Sequence, residues 1–116
     1  KAGFNSLGFA KAIEKLQGKY SVELIDLRTI NPYDAETLIN SVKKTGKCVI
    51  AHEAQRTGGF AAELIASINE KALLSLHAPV VRVTGPDIPV PFAKLESYYL
   101  PDVNRVLKGI EKVMSF

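Results

Sequence analysis

The densest set of reactive side chains in this sequence lies in the run HEAQRTGG: His52, Glu53 and Arg56, followed by Gly58 and Gly59. A histidine beside a glutamate offers a proton donor and acceptor that work near neutral pH. Paired glycines ahead of an apolar helical stripe leave free amides at a helix N-terminus, where anions gather, and Arg56 adds a positive charge. The competing reading is structural, and strand geometry favours it. Adjacent residues on a strand point to opposite faces, so His52 and Glu53 cannot both aim at one substrate while the strand continues. In that reading Glu53 and Arg56 hold a neighbouring loop or subunit, and the glycines permit close backbone approach.

The other ionisable and nucleophilic groups carry less chemistry. Asp26 interrupts an apolar strand, and a buried carboxylate needs a partner; Arg28, or Arg82 on a neighbouring strand, is expected to supply one. His77, in LSLHAP, ends a helix and is expected to face solvent. Cys48 is the sole cysteine, so it forms no internal disulfide. Inside the run CVIA it reads as a small buried hydrophobe, and a free thiol points to a reducing compartment. His52 and His77 have no cysteine pair near them, which argues against zinc. No GxGxxG or GxxxxGK[ST] nucleotide fingerprint occurs, and no GxSxG nucleophile elbow. The 15 basic residues are scattered and the net charge is +3, which argues against a nucleic-acid surface. No apolar run reaches the roughly 18–20 residues that cross a bilayer, and the start lacks a signal-peptide core. An intracellular protein with no membrane contact is expected.

The elements that must position these groups alternate. Asn5 and Ser6 can cap a helix bearing Phe9, Ile13 and Leu16, with its stop at Gly18. Residues 21–28, SVELIDLR, read as a strand apolar on both faces, and Pro32 breaks the pattern. Asp34 caps a second helix with the stripe Ala35, Leu38, Ile39 and Val42. Glu36 near its start and Lys43 and Lys44 near its end suit the helix dipole, and Gly46 ends it. Residues 48–52 form a short strand, and EAQRTGG is the loop into a long helix with Phe60, Leu64, Ile65, Ile68 and Ala72 inward. Pro79 opens the strand VVRVT. The loop GPDIPVPF, with Pro86, Pro89 and Pro91, is expected to be stiff and extended. Pro101 and Asp102 introduce a last helix with the stripe Val103, Val106, Leu107, Ile110, Val113 and Met114. Strands separated by helices imply parallel pairing with helices on both faces, and one domain over residues 1–116. Because such a fold should begin on a strand, residues before Lys1 are expected to be missing.

Four segments taken together, VELIDLRTINPYD, SVKKTGKCVIAHEAQRTGGFAAEL, APVVRVTGPDIPVPF and ESYYLPDVNRVLKGIEKVMSF, resemble one family. Their order and spacing are similar to the C-terminal domain of the beta subunits of pyruvate and branched-chain 2-oxo-acid dehydrogenases, and the likeness runs from about residue 5 to the end. The run EAQR and the ending VMSF look more like the pyruvate enzymes of Gram-positive bacteria. The resemblance implies a transketolase C-terminal-domain-like fold, a three-layer α/β/α sandwich of five strands, one of them antiparallel. Its first central strand would precede the helix at Ser6, so Lys1–Phe4 would cover only its end. A gap there exposes backbone at a cost of about 1–3 kcal/mol per buried unsatisfied group.

The resemblance also implies a function. The whole enzyme binds thiamine diphosphate and Mg²⁺, decarboxylates a 2-oxo acid and passes the acyl group to lipoyl. It is a heterotetramer of alpha and beta subunits, in the bacterial cytoplasm or the mitochondrial matrix. Neither the GDG…N diphosphate grip nor the activating glutamate occurs in this chain, so no catalytic, cofactor-binding or metal residue is carried over. By the same resemblance this is the assembly and docking domain. The second beta subunit would meet it near His52, Glu53, Arg56, Gly58 and Gly59. The peripheral-subunit-binding domain of the acyltransferase would dock at the terminal carboxylate of Phe116. That module is basic in the family, and the net charge of +3 and His77 depart from the acidic partner it would seek. The alternatives are a dimerisation module without enzyme activity and the C-terminal domain of another transketolase-type enzyme.

Overall fold

In the computed structural model, residues 10–16 and 18–116 are described. Residues 10–15 are helical. They are followed by α1 (Ala35–Thr45), β1 (Val49–Gln55), α2 (Ala61–Ala72), β2 (Val81–Gly85), α3 (Glu96–Tyr99) and α4 (Val103–Met114). Short 3₁₀ turns follow α2 at Leu73–Ser75 and precede α3 at Ala93–Leu95.

The helix ends are set by the residues that satisfy orphan backbone groups. The Asp34 carboxylate accepts from the Thr37 N–H at 3.0 Å and from the Thr37 hydroxyl at 2.7 Å, opening α1. These bonds hold the Asp34 carboxyl below the usual carboxylate range. At the other end the Gly46 N–H donates to Val42 O. Asp102 opens α4 the same way, accepting from the Arg105 N–H at 2.7 Å.

β1 and β2 pair in parallel, with Val49 opposite Val81, Ile50 opposite Arg82 and Ala51 opposite Val83. The register then shifts, so that Gln55 meets Gly85. Alternation along the strands sends apolar groups both ways. On one face Leu38, Ile39 and Val42 of α1 join Leu64, Ile68 and Ala72 of α2 over Ile50. On the other, Ala12, Leu16, Val106 and Ile110 gather on Val83, with Val49 and Ala51 packed against them. Helices therefore cover both faces of a parallel sheet, the expected α/β/α order.

Several expectations need correction. Residues 21–28 form no strand and pair with none among the described residues. Val22, Ile25 and Leu27 are only half-buried, and Leu24 is exposed. Apolar character made the segment a candidate, but a strand exists only beside another, and no described strand flanks it. The sheet consequently has two described strands instead of three. Asp26 does meet Arg28, at 3.7 Å, but both are exposed, so the pair needs no burial argument. Met114 is exposed, at the rim of the α4 stripe. β1 runs on through Gln55 instead of stopping at His52, and α3 is a helix that no periodicity announced. The caps at Asn5 and Ser6, the inward Phe9 and the strand end at Lys1–Phe4 lie outside the described residues.

Candidate functional site

Because β1 continues to Gln55, His52 and Glu53 are strand residues and the loop shortens to a turn at residues 56–59. His52 Nδ1 lies 3.1 Å from Ala54 O. A carbonyl can only accept, so Nδ1 carries the proton and Nε2 the lone pair. Nε2 is buried with no hydrogen-bond partner among the described residues. Burial, opposed by the Ala54 carbonyl and reinforced by the Arg82 charge, pushes the His52 pKa below its usual value. The imidazole is thus held neutral. Among the described residues the Glu53 carboxylate makes no ion pair; its backbone carbonyl packs against Gly85. The histidine and glutamate do not form an acid–base pair.

The two glycines have separate causes. Gly58 sits at φ +71° in open space, a left-handed turn position that glycine adopts without strain. Gly59 is squeezed: a Cβ there would strike the Gln55 carbonyl oxygen and come within 2.8 Å of His52 Cε1. The exposed Arg56 does not form an anion cradle with them; its carbonyl instead accepts from Arg82 Nη1 at 3.1 Å.

The turn is bound to the proline-rich loop. Thr57 donates from both its N–H and its hydroxyl to Asp87, at 2.7 Å each. Gln55 Nε2 donates to Ile88 O at 2.7 Å. The Thr57 N–H, then its hydroxyl, and lastly the Arg56 charge hold the Asp87 carboxyl below the usual range. Behind the loop, the Arg105 guanidinium donates to Thr84 O, to Tyr99 O at 3.4 Å and to Leu100 O at 3.5 Å. These bonds fix the end of β2 against α3. The resulting surface is apolar: Ile88, Val90, Phe92, Leu95 and Tyr98 are exposed, Phe92 at 97%. Sequence reading missed Gln55, Thr57, Asp87 and Arg105, and offered Arg82 to Asp26 where the structure gives it to the Arg56 carbonyl. The run GPD was noticed, but nothing local says that its aspartate is met by a threonine 30 residues earlier.

Phe116 lies elsewhere. It is two-thirds exposed and borders an open hollow of about 640 Å³ with Ile65, Leu73, Leu76, His77 and Pro79. Pro79 leads into β2, so this hollow is at the amino ends of the strands, opposite the turn at residues 56–59. Lys47, just before β1, donates to Met114 O at 3.2 Å and keeps the end of α4 there. His77 is exposed, as expected, with its N–H bonded to Gly46 O at 2.7 Å. Half-buried Cys48 packs on the α1–α2 core, and burial pushes its thiol up to about 11.

The described residues offer no arrangement that fits thiamine diphosphate or Mg²⁺. Among the described residues no three His, Cys, Asp or Glu side chains lie close enough to hold a metal. The hollow at Phe116 is lined mainly by apolar groups. No described helix is long and apolar enough to cross a membrane.

The family described as "Transketolase, C-terminal domain" matches residues 7–106. The chain is 46% identical over 107 residues to the pyruvate dehydrogenase E1 component subunit beta of Bacillus subtilis, covering 91% of this chain and 33% of that protein. It is 52% identical over 96 residues to the mitochondrial 2-oxoisovalerate dehydrogenase subunit beta of Dictyostelium discoideum, covering 83% and 26%. The pyruvate dehydrogenase E1 component subunit beta of Staphylococcus aureus is 43% identical over 107 residues, again 91% and 33%. The chain therefore spans a third or less of the length of these relatives.

Proposed function

The chain belongs to the transketolase C-terminal domain family, and on that premise we propose that it is the assembly and docking domain of a 2-oxo-acid dehydrogenase beta subunit. The observation that carries the proposal is the surface at the carboxyl ends of the strands. A turn and a proline-rich loop are bound by three hydrogen bonds and expose a row of large apolar side chains. A rigid apolar face rimmed by polar groups is what a subunit contact requires. In this reading His52, Glu53, Arg56, Gly58 and Gly59 form or support the contact with a second beta subunit. Phe116 and its hollow, at the opposite end, receive the acyltransferase's peripheral-subunit-binding domain. An alpha subunit completes the heterotetramer, in the bacterial cytoplasm or the mitochondrial matrix.

Catalysis belongs to the rest of that assembly. Thiamine diphosphate with Mg²⁺ would supply the chemistry of decarboxylation there, and this domain contributes position, not proton transfer. The 116-residue chain is expected to self-associate in sedimentation equilibrium and to give no decarboxylation with thiamine diphosphate, Mg²⁺ and pyruvate. A strict monomer at high concentration that is unchanged by Arg56→Glu sinks the assembly role. Turnover by the chain alone sinks the division of labour.

The favoured substrate is pyruvate, supported by the runs EAQR and VMSF and by two of the relatives above. A second reading, a branched-chain 2-oxo acid, is favoured by the 52% identity to the 2-oxoisovalerate subunit. Turnover of pyruvate against 3-methyl-2-oxobutanoate, by the complete beta subunit with its alpha partner, separates them.

A further inference from the structure

Behind the bound turn stands a histidine whose inner nitrogen meets no partner among the described residues. His52 Nε2 is buried, carries the lone pair and accepts no hydrogen bond among the described residues. Gly59 lies across it, so close that a Cβ there would be 3.0 Å from Nε2. A neutral nitrogen tolerates this position at the cost of one unmade bond. A protonated one does not, because it would be a buried N–H⁺ with no acceptor among the described residues. The Gly59 backbone of the turn lies against this nitrogen, so lifting residues 56–59 off the strand end is the movement that would open it to water.

We propose that residues 56–59 form a proton-operated latch: protonation of His52 Nε2 lifts the turn, loosens Thr57 from Asp87 and breaks up the assembly face. The release of a partner rests on the assembly role proposed above; the opening of the turn does not. The charges around His52 point the same way. Arg82 on β2 disfavours a second positive charge. Glu53 on β1 forms no ion pair with the ring. Arg56 in the turn is a further cation, and Asp87 in the loop is already engaged by Thr57. α1 sends Leu38, Ile39 and Val42 to this face of the sheet, and α2 begins at Ala61 after Phe60, with Glu63 as the acid of its first turn.

The sign follows from linkage. Burial in the closed state, with the Arg82 charge, holds the His52 pKa below its usual value of 6.5, so an open state that exposes the ring binds the proton more readily. The stability of the closed latch is fully present above 6.5 and falls as pH drops, until the lowered closed-state value is reached. Asp87 is held below 3.8; its contribution is lost only in stronger acid and does not overlap this window.

The test is hydrogen exchange of the Thr57 amide in the full chain, corrected for intrinsic rates, from pH 7.5 to 5.5. Protection is expected to fall below about pH 6.5, at most tenfold per pH unit, the limit for one proton. His52→Gln should abolish the slope while His77 remains. Should that variant fail to fold, ring titration of His52 by NMR in the unaltered chain serves instead, its midpoint tracking the loss of protection. Flat protection in the unaltered chain overturns the latch, as does a slope that survives His52→Gln. Sedimentation at the same pH values separates the two proposals. A dimer with flat protection leaves assembly standing without the latch, and a strict monomer with the slope intact leaves the latch without assembly.

Discussion

A methyl group added at Gly59 would run into the Gln55 carbonyl oxygen and the His52 ring, whereas one added at Gly58 would meet open space. Gly58→Ala is therefore expected to cost only the backbone term, about 1–2 kcal/mol for a left-handed residue. Asparagine, which tolerates that region, should recover most of it. Gly59→Ala should cost about 1–3 kcal/mol through overpacking, and Asn should be worse, not better. Urea unfolding of the four variants distinguishes a conformational requirement from a packing one. Cys48 is a residue-scale case of burial alone. Its thiol is raised to about 11 from an ordinary 9.0, so the folded state disfavours the thiolate. The stability this contributes is complete below 9.0 and drains away as pH rises toward 11. At pH 8 the thiolate fraction is about 100-fold below that of the unfolded chain. Higher intrinsic nucleophilicity returns about tenfold. Iodoacetamide should thus alkylate the folded chain about tenfold more slowly than the urea-unfolded chain, before restricted access slows it further.

At the scale of elements, the first turn of α4 joins two jobs. The Asp102 carboxylate caps the helix through the Arg105 N–H, while the Arg105 guanidinium holds the carbonyls of Thr84, Tyr99 and Leu100. Asp102→Ala should lower stability by about 1 kcal/mol. Arg105→Met, which strands part-buried carbonyls, should lower it by about 1–3 kcal/mol. Because the cap positions the very residue that makes the clamp, the double variant should lose less than the sum of the two, measurable as a coupling energy in urea titrations. The same elements show what the sequence makes legible. α1, α2 and α4 carry their own evidence, since each shows an apolar stripe within a dozen residues, α1 and α4 add a capping aspartate, and α1 a glycine stop. Strands are different, because pairing is not local. SVELIDLR has the composition of a strand and no described neighbour. HEAQ looks like loop because it is polar, yet it stays in the ladder beside β2. The site followed the same division. His52 and the two glycines were visible as residue types; the Thr57–Asp87 and Gln55–Ile88 bonds depend on two loops meeting at one end of a sheet. Phe116, grouped with them by resemblance, lies at the other end.

At the scale of the whole molecule, the question is which exposed apolar surface meets a partner. Phe92 is 97% exposed and Tyr98 82%, both in the segment that follows the bound Asp87 and Ile88, while Leu74 is 99% exposed in the 3₁₀ turn that follows α2. Exposure alone cannot rank them, since lone apolar residues are common on surfaces. Rigidity and continuity can. Phe92 and Tyr98 belong to a run with Ile88, Val90 and Leu95, held by Asp87 on one side and Arg105 on the other, so little ordering entropy remains to be lost on docking. Leu74 has the exposed Leu73 beside it, but Leu73 and Leu76 line the hollow that Phe116 borders, and no side-chain hydrogen bond among the described residues braces that turn. Substituting serine at any of the three positions should leave the urea midpoint nearly unchanged, within about 0.5 kcal/mol, because no buried contact is lost. Association should respond unequally. Phe92→Ser and Tyr98→Ser are each expected to weaken self-association about tenfold or more, the behaviour of an aromatic hot spot, and Leu74→Ser to leave it within twofold. Sedimentation equilibrium over a concentration series reads all three. If Leu74→Ser dissociates the chain while Phe92→Ser does not, the beta–beta contact belongs at the amino ends of the strands, and the bound turn must be assigned another partner.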